Sequence, residues 1–119
     1  MFVLEITGEC VKEGEGPQGC VAAVRYYSLA RYAFLDALRM MGITTGQRVL
    51  LPSFICRDLL APITIAGAKP CWYAVDHRLQ AIDSPALWPH ADVVLAVNFF
   101  GFPQDLSPFY SYVARTGAC

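Results

Sequence analysis

The stretch "RVLLPSFICRDLLAPITIAGAKPCWYAV", residues 48–75, decides the fold class because it places a helical segment between two short apolar segments. "RVLL" (48–51) and "KPCWYAV" (69–75) have the length and composition of buried strands. The segment between them, "CRDLLAPITIA" (56–66), is followed by Gly67, a common helix stop. Strands connected through a helix in this way pack in parallel by a right-handed crossover. The stretch therefore predicts an α/β unit with a parallel sheet.

The helices of this unit are predicted from helical spacing and from capping signals. Upstream of the first strand, "LARYAFLDALRMM" (29–41) carries apolar residues at helical spacing, and Ser28 is the predicted N-cap. Ser53 is the predicted cap of the second helix, over 56–66. Pro62 lies inside that second segment, where proline is expected to kink a helix.

Downstream, the alternation of strands and helices continues to the end of the sequence. "DVVLAV" (92–97) is apolar almost throughout, as in a parallel strand covered on both faces, and "DLSPFYSYVAR" (105–115) has the pattern of a helix. We predict an α/β domain over 25–119 with a mainly parallel sheet, preceded by a partly flexible segment over 1–24. The exposed edges of so small a sheet disfavour an independent flavodoxin-like domain.

Composition excludes several classes of function. Of the 119 residues, 55% are hydrophobic and 16% are charged, and the formal net charge of -1 provides no basic field for nucleic acid. The apolar runs are far shorter than the roughly 18 residues of a membrane-spanning helix. The first residues, "MFVLEITGEC", lack a basic leader, so we expect a cytoplasmic protein. Five cysteines without a C-x-x-C pair, and two histidines, indicate reduced thiols and no metal site.

Ligands of open parallel sheets bind beyond the carboxyl ends of the strands. In this sequence the corresponding segments are "SLAR" (28–31) at the first helix, "PSFICRD" (52–58), Asp76, and "NFFGFPQD" (98–105). Each of them has a structural alternative as a helix cap, a turn or a loop. No phosphate-binding loop and no Ser-His-Asp set is present. Lys12 and Lys69 lie away from the strand ends, so we predict no catalytic residue.

Three motifs carry a resemblance to a known family. "MGITTGQRVLLPSF" (41–54), "AGAKPCWYAVD" (66–76) and "FGFPQD" (100–105) follow one another as in the N-terminal part of the DegT/StrS group of aminotransferases. These enzymes use pyridoxal phosphate, act on nucleotide-linked keto-sugars and share the aspartate aminotransferase fold. The resemblance implies a partial three-layer sandwich, equivalent to the first half of the large domain of fold-type I enzymes. It also implies pyridoxal phosphate as cofactor, a keto-sugar and an amino-acid donor as substrates, and a homodimer.

The resemblance also implies a set of cofactor-binding residues. The phosphate of the cofactor lies at the start of the first helix in the family, which corresponds here to Ser28, Ala30 and Arg31. The family often has a glycine where this chain has Ala30. The aromatic residue that stacks on the cofactor ring corresponds to Cys56, and a polar position at the end of the third strand corresponds to Asn98.

The catalytic residues of the family lie further along the chain. The Schiff-base lysine, and the aspartate that pairs with the ring nitrogen, correspond to positions beyond Cys119. The resemblance therefore implies the first part of a longer enzyme, inactive on its own. The alternative is a small α/β binding or interaction module that uses the same fold.

Overall fold

The computed structural model describes residues 25–119, so the predicted flexible segment 1–24, with Lys12, lies outside the described residues. Three α-helices and three strands occur in this part of the chain, and no α-helix separates the second strand from the third. In chain order they are α1 (Ala30–Met40), β1 (Arg48–Pro52), α2 (Leu60–Ile65), β2 (Lys69–Tyr73), β3 (Val93–Val94) and α3 (Ser107–Thr116). Short 3₁₀ turns occupy Arg57–Leu59, Pro85–Leu87 and Phe99–Gly101. None of the helices among residues 25–119 has the length and apolar character needed to cross a membrane.

The sheet has the order β2-β1-β3, and both pairs of strands are parallel, which confirms the predicted topology. Leu50 lies at its centre, opposite Cys71 on β2 and Val94 on β3. The predicted third strand over 92–97 is too long, because only Val93–Val94 pair as a strand. One further bond, from the Leu95 N–H to the Leu50 carbonyl (2.9 Å), ends the ladder.

The backbone of Cys119 lies along the edge of β3 that faces away from β1. The Cys119 N–H donates to the Asp92 carbonyl, and the Val94 N–H donates to the Cys119 carbonyl, both at 2.9 Å. This alternation is the hydrogen-bond pattern of parallel strands. The backbone of Cys119 therefore pairs with β3 next to Val93.

Side chains of the strands alternate between two apolar clusters, one on each face of the sheet. On one face, Phe34 and Leu38 of α1 pack with Val49 and Leu51, together with Ile63 of α2. The opposite cluster is formed under α3 and contains buried aromatic residues: Tyr73, Trp88, Phe109 and Tyr112. Helices therefore cover both faces, as the predicted three-layer arrangement requires.

The two predicted helix caps are wrong. Leu29, not Ser28, is the N-cap of α1, and no side chain among the described residues caps this helix. Ser53 stays in the loop, where its N–H donates to the Tyr73 carbonyl (2.8 Å) and its Oγ accepts from the Val75 N–H (3.4 Å). Pro62 lies in the first turn of α2, where a helix accommodates proline more readily than in its interior.

Candidate functional site

A cleft of about 890 Å³ lies along the β3 side of the sheet, between α1 and α3. Its lining includes residues 29–31 at the start of α1, residues 54–56 after β1, and residues 96–100 after β3. α1 precedes β1 and runs back along it, so its first residues lie at the carboxyl edge of the sheet. The cleft therefore reaches the edge where parallel sheets bind ligands.

The start of α1 offers hydrogen-bond donors to this cleft. The first helical bond there is donated by the Tyr32 N–H to the Leu29 carbonyl (3.0 Å), so the N–H groups of Ala30 and Arg31 precede the helical pattern. Within residues 25–119, no side chain caps them. Free N–H groups and the helix dipole favour a negative charge at this position.

Arg31 adds a positive charge, and that charge already has a partner. Its Nη1 lies 2.7 Å from Oδ2 of Asp58, and the two side chains are 36% and 65% exposed. A pair this exposed contributes little to stability. A guanidinium carries five N–H donors, so Arg31 retains donors for a second anion while it contacts Asp58.

Cys56 and Phe54 face the cleft from the loop after β1. Cys56 is exposed and directly precedes the 3₁₀ turn Arg57–Leu59. Phe54 is 55% exposed, and its ring lies 5.8 Å from the ring of Phe99, with 52° between the two planes. These two aromatic residues were not among the predicted site residues. Their signal in the sequence is an aromatic side chain in the segment that follows a strand, in both "PSF" and "NFF".

Asn98 fixes the loop after β3. Its Oδ1 accepts a hydrogen bond from the Gln104 N–H (2.9 Å), and Gln104 Nε2 donates to the Leu79 carbonyl (2.6 Å). The Asp105 N–H donates to Oε1 of Gln80 (3.3 Å). The loops after β2 and β3 are therefore tied together, and Nδ2 of Asn98 is the atom that this side chain can offer to a ligand.

The chain is similar in sequence and in structure to known sugar aminotransferases. No protein-family model matches the chain. It is 26% identical over 89 residues to UDP-N-acetyl-3-dehydro-α-D-glucosamine 3-aminotransferase of Acidithiobacillus ferrooxidans. This match covers 71% of the present chain and 24% of the relative. The structure of DesV of S. venezuelae, in complex with a ketimine intermediate, matches with a TM-score of 0.62 and 26% identity, over 74% of this chain and 25% of DesV. The chain resembles a part of the sugar aminotransferases of the DegT/StrS-like group.

A second structure supports the sugar-aminotransferase fold. Spr1654 of Streptococcus pneumoniae, solved in its PLP form, matches with a TM-score of 0.59 and 23% identity, over 72% of this chain and 23% of Spr1654. At this identity the likeness concerns the fold alone. The chain spans about a quarter of the length of each of these relatives.

Four of the five residues predicted from the resemblance to sugar aminotransferases line the cleft, namely Ala30, Arg31, Cys56 and Asn98. Ser28 is exposed and is not part of the lining. Their roles in cofactor binding stay predictions.

Two other polar residues considered from the sequence, Asp76 and Lys69, lie outside the lining of the cleft. Oδ1 of Asp76 accepts from the N–H groups of Gln80 (3.0 Å) and Arg78 (2.8 Å). These bonds, led by that from Gln80, lower the pKa of Asp76 and fix a turn. Lys69 is the first residue of β2 and lies at the opposite edge of the sheet. Within residues 25–119, no three Cys, His, Asp or Glu side chains are grouped to hold a metal ion.

Proposed function

We propose that this chain supplies one wall of the cofactor site of a pyridoxal-phosphate-dependent aminotransferase that acts on nucleotide-linked keto-sugars with an amino-acid donor. The observation that carries the proposal is that one cleft joins the start of α1 with the loops after β1 and β3. The name of the Acidithiobacillus relative, a nucleotide-sugar aminotransferase, supports the substrate class.

The residues of the cleft fit the phosphate group of the cofactor. The uncapped N–H groups of Ala30 and Arg31 can donate to phosphate oxygens, and the Arg31 guanidinium can add charge-assisted bonds. Asp58 opposes this charge, since its carboxylate lies 2.7 Å from Arg31. A bound phosphate therefore shares Arg31 with Asp58 and relies on the backbone donors as well.

Covalent attachment of the cofactor is not expected from the described residues. When bound in an enzyme, pyridoxal phosphate serves as an electron sink for reactions at the amino carbon. Lys69, the lysine within residues 25–119, is exposed and lies at the opposite edge of the sheet. We therefore infer that this chain binds and orients the cofactor, while the attaching lysine and the ring-nitrogen carboxylate come from family positions beyond Cys119.

Of the remaining properties, a homodimer is proposed from the resemblance. The cytoplasmic location and the exclusion of nucleic acid and membrane as partners are proposed from the composition and the sequence. The alternative, a small binding module that keeps this cleft without transamination, predicts the same phosphate site. It differs in that its function would not require a longer polypeptide.

The test is the affinity of the 119-residue chain for 4′-deoxypyridoxine 5′-phosphate, which lacks the aldehyde and cannot react with amines. Arg31→Ala should weaken binding about tenfold or more, because a hydrogen bond to a charged group contributes about 1.5–3 kcal/mol. Arg39→Ala is the matched control, since Arg39 is exposed in the last turn of the same helix. Equal effects of the two variants would contradict a phosphate site at the start of α1.

Attachment is tested separately with pyridoxal phosphate itself. The chain is mixed with the cofactor, reduced with borohydride and digested for mass spectrometry. We expect scattered, substoichiometric labelling of surface amines. Stoichiometric labelling of one lysine would contradict the inference that this chain binds without attachment.

A further inference from the structure

We infer that Phe54 and Phe99 form a ring-binding wall in the cleft, which takes a planar heteroaromatic ring that carries an anionic group. The inference rests on the proposed function and deepens it, because it assigns ring recognition to two residues outside the predicted set. We call these two side chains the ring wall.

The ring wall combines one side chain from each of two strand-end loops. Phe54 follows β1 and Phe99 follows β3, and both line the cleft. Their ring centres lie 5.8 Å apart at 52°, an ordinary distance for an aromatic pair. Phe54 is nevertheless 55% exposed and lines the cleft, so its ring is accessible to a ligand there.

The backbone on both sides of the ring wall is held in place. Pro52, two residues before Phe54, is fully buried, and Ser53 between them bonds through its N–H to the Tyr73 carbonyl (2.8 Å). Asn98, directly before Phe99, accepts from the Gln104 N–H (2.9 Å). A surface fixed in this way loses little conformational entropy when a ligand packs on it.

The chemistry around the ring wall selects the ligand. Arg31 and the free N–H groups at the start of α1 line the same cleft, so a ligand with an anionic group is favoured over an uncharged apolar one. A planar ring gains from offset or tilted packing on an aromatic neighbour, which a thiol cannot provide. Cys56, the position that is aromatic in the resembling family, offers only a thiol. We therefore assign the ring contact to Phe54 and Phe99.

The experiment measures dissociation constants by ligand-observed NMR with three probes: 4′-deoxypyridoxine 5′-phosphate, pyridoxine without phosphate, and glycerol 3-phosphate without a ring. Phe54→Leu and Phe99→Leu keep an apolar side chain but remove the ring. Each should weaken binding of the two ring-bearing probes by about three- to tenfold and leave glycerol 3-phosphate unchanged. Phe102→Leu is the control, because Phe102 is 72% exposed and lies outside the lining of the cleft.

The outcomes separate the ring wall from the phosphate site. Loss of pyridoxine binding in Phe54→Leu, with no effect of Arg31→Ala on the phosphate probes, would support the ring wall and overturn the phosphate site. Equal losses for glycerol 3-phosphate and the ring-bearing probes would overturn the ring wall, because they indicate a disturbed loop. Three other results would also overturn the ring wall. The first is an effect no larger than that of Phe102→Leu, and the second is no binding of any ring-bearing probe. The third is an altered oligomeric state with unaltered ring binding, which would indicate that Phe54 and Phe99 contact another protein.

Discussion

Replacing Tyr112 by phenylalanine removes a single oxygen atom from the core beneath α3. Tyr112 is fully buried, and its hydroxyl makes two hydrogen bonds to the segment that leads into β3. The hydroxyl donates to the Pro89 carbonyl and accepts from the Ala91 N–H, both at 2.8 Å. Burial raises the pKa of Tyr112, so the hydroxyl stays protonated and able to donate at neutral pH.

The expected loss of stability comes mainly from the groups that are left without a partner. Ala91 is fully buried, so its N–H would lose its acceptor in a place closed to water, at a cost of about 1–3 kcal/mol. Pro89 is only half-buried, so its carbonyl can recover a hydrogen bond to water. The ring itself still packs on Trp88, 5.6 Å away. We expect Tyr112→Phe to lower the free energy of unfolding by about 2 kcal/mol.

Thermal unfolding followed by the fluorescence of the two tryptophans, partly exposed Trp72 and buried Trp88, measures this loss at a fixed protein concentration. For a domain of this size, 2 kcal/mol corresponds to a melting temperature lower by roughly 8 °C. Tyr110→Phe is the matched control on the same helix, because Tyr110 is 53% exposed, and it should stay within about 0.5 kcal/mol of the parent chain. The reasoning is refuted if Tyr112→Phe unfolds with the parent chain, or if the two variants are destabilised equally.

Three further predictions address charge, backbone strain and association. Hydrogen bonds from Tyr27 and, to a smaller extent, from Arg25 lower the pKa of Asp36. The Asp36 carboxylate therefore stabilises the fold at pH values above its unfolded pKa of about 3.9, and this stabilisation is lost as the pH falls through the lower pKa of the folded state. Asp36→Asn should therefore melt below the parent chain at pH 6 and together with it at strongly acid pH; a constant difference would count against the pair. Phe100 has a left-handed φ of 54° and is 83% exposed, so Phe100→Gly should raise the free energy of unfolding by about 1 kcal/mol in urea titrations, and a loss would show that the ring stabilises the loop. The apolar cleft beside β3 should make the mass measured by light scattering rise with concentration, whereas a monomer with one sharp unfolding transition would contradict this.

The sequence predicts the fold well where burial and strand pairing coincide. The apolar run "RVLL" matches β1 because its residues both pair with two neighbouring strands and pack between helices. In residues 92–97 the two properties separate. Leu95 and Ala96 pack against the two apolar clusters, yet only Val93–Val94 are assigned to the ladder. An apolar run reports burial, so it marked the position of β3 correctly and overestimated its length.

Helix caps are less predictable, because a serine near the start of a helix has several possible hydrogen-bond partners. Ser53 illustrates this, since its Oγ accepts from the Val75 N–H in the neighbouring loop and not from the helix that comes after it. That partner lies 22 residues away in sequence, and only the register of β1 against β2 brings it near. Ser53 has the residue type of a helix cap, but its hydroxyl accepts a hydrogen bond from a distant part of the chain instead of from the helix.

The candidate site also has features that the sequence predicts and features that it does not. The edge of the sheet determines the first kind, and the course of the loops determines the second. Parallel strands carry their carboxyl ends to one edge, so the sequence order alone predicts that segments 28–31, 52–58 and 98–105 lie near one another, and the resemblance selects Arg31, Cys56 and Asn98 among them. The approach of Asp58 to Arg31 and of Phe99 to Phe54 depends instead on the course of loops from different strands. These two contacts change the chemistry of the cleft, since one shares the positive charge with a carboxylate and the other supplies an aromatic surface. We therefore expect an anionic ligand with an aromatic ring to depend on three contacts in this cleft: the backbone N–H groups of α1, the packing of its ring on Phe54 and Phe99, and Arg31.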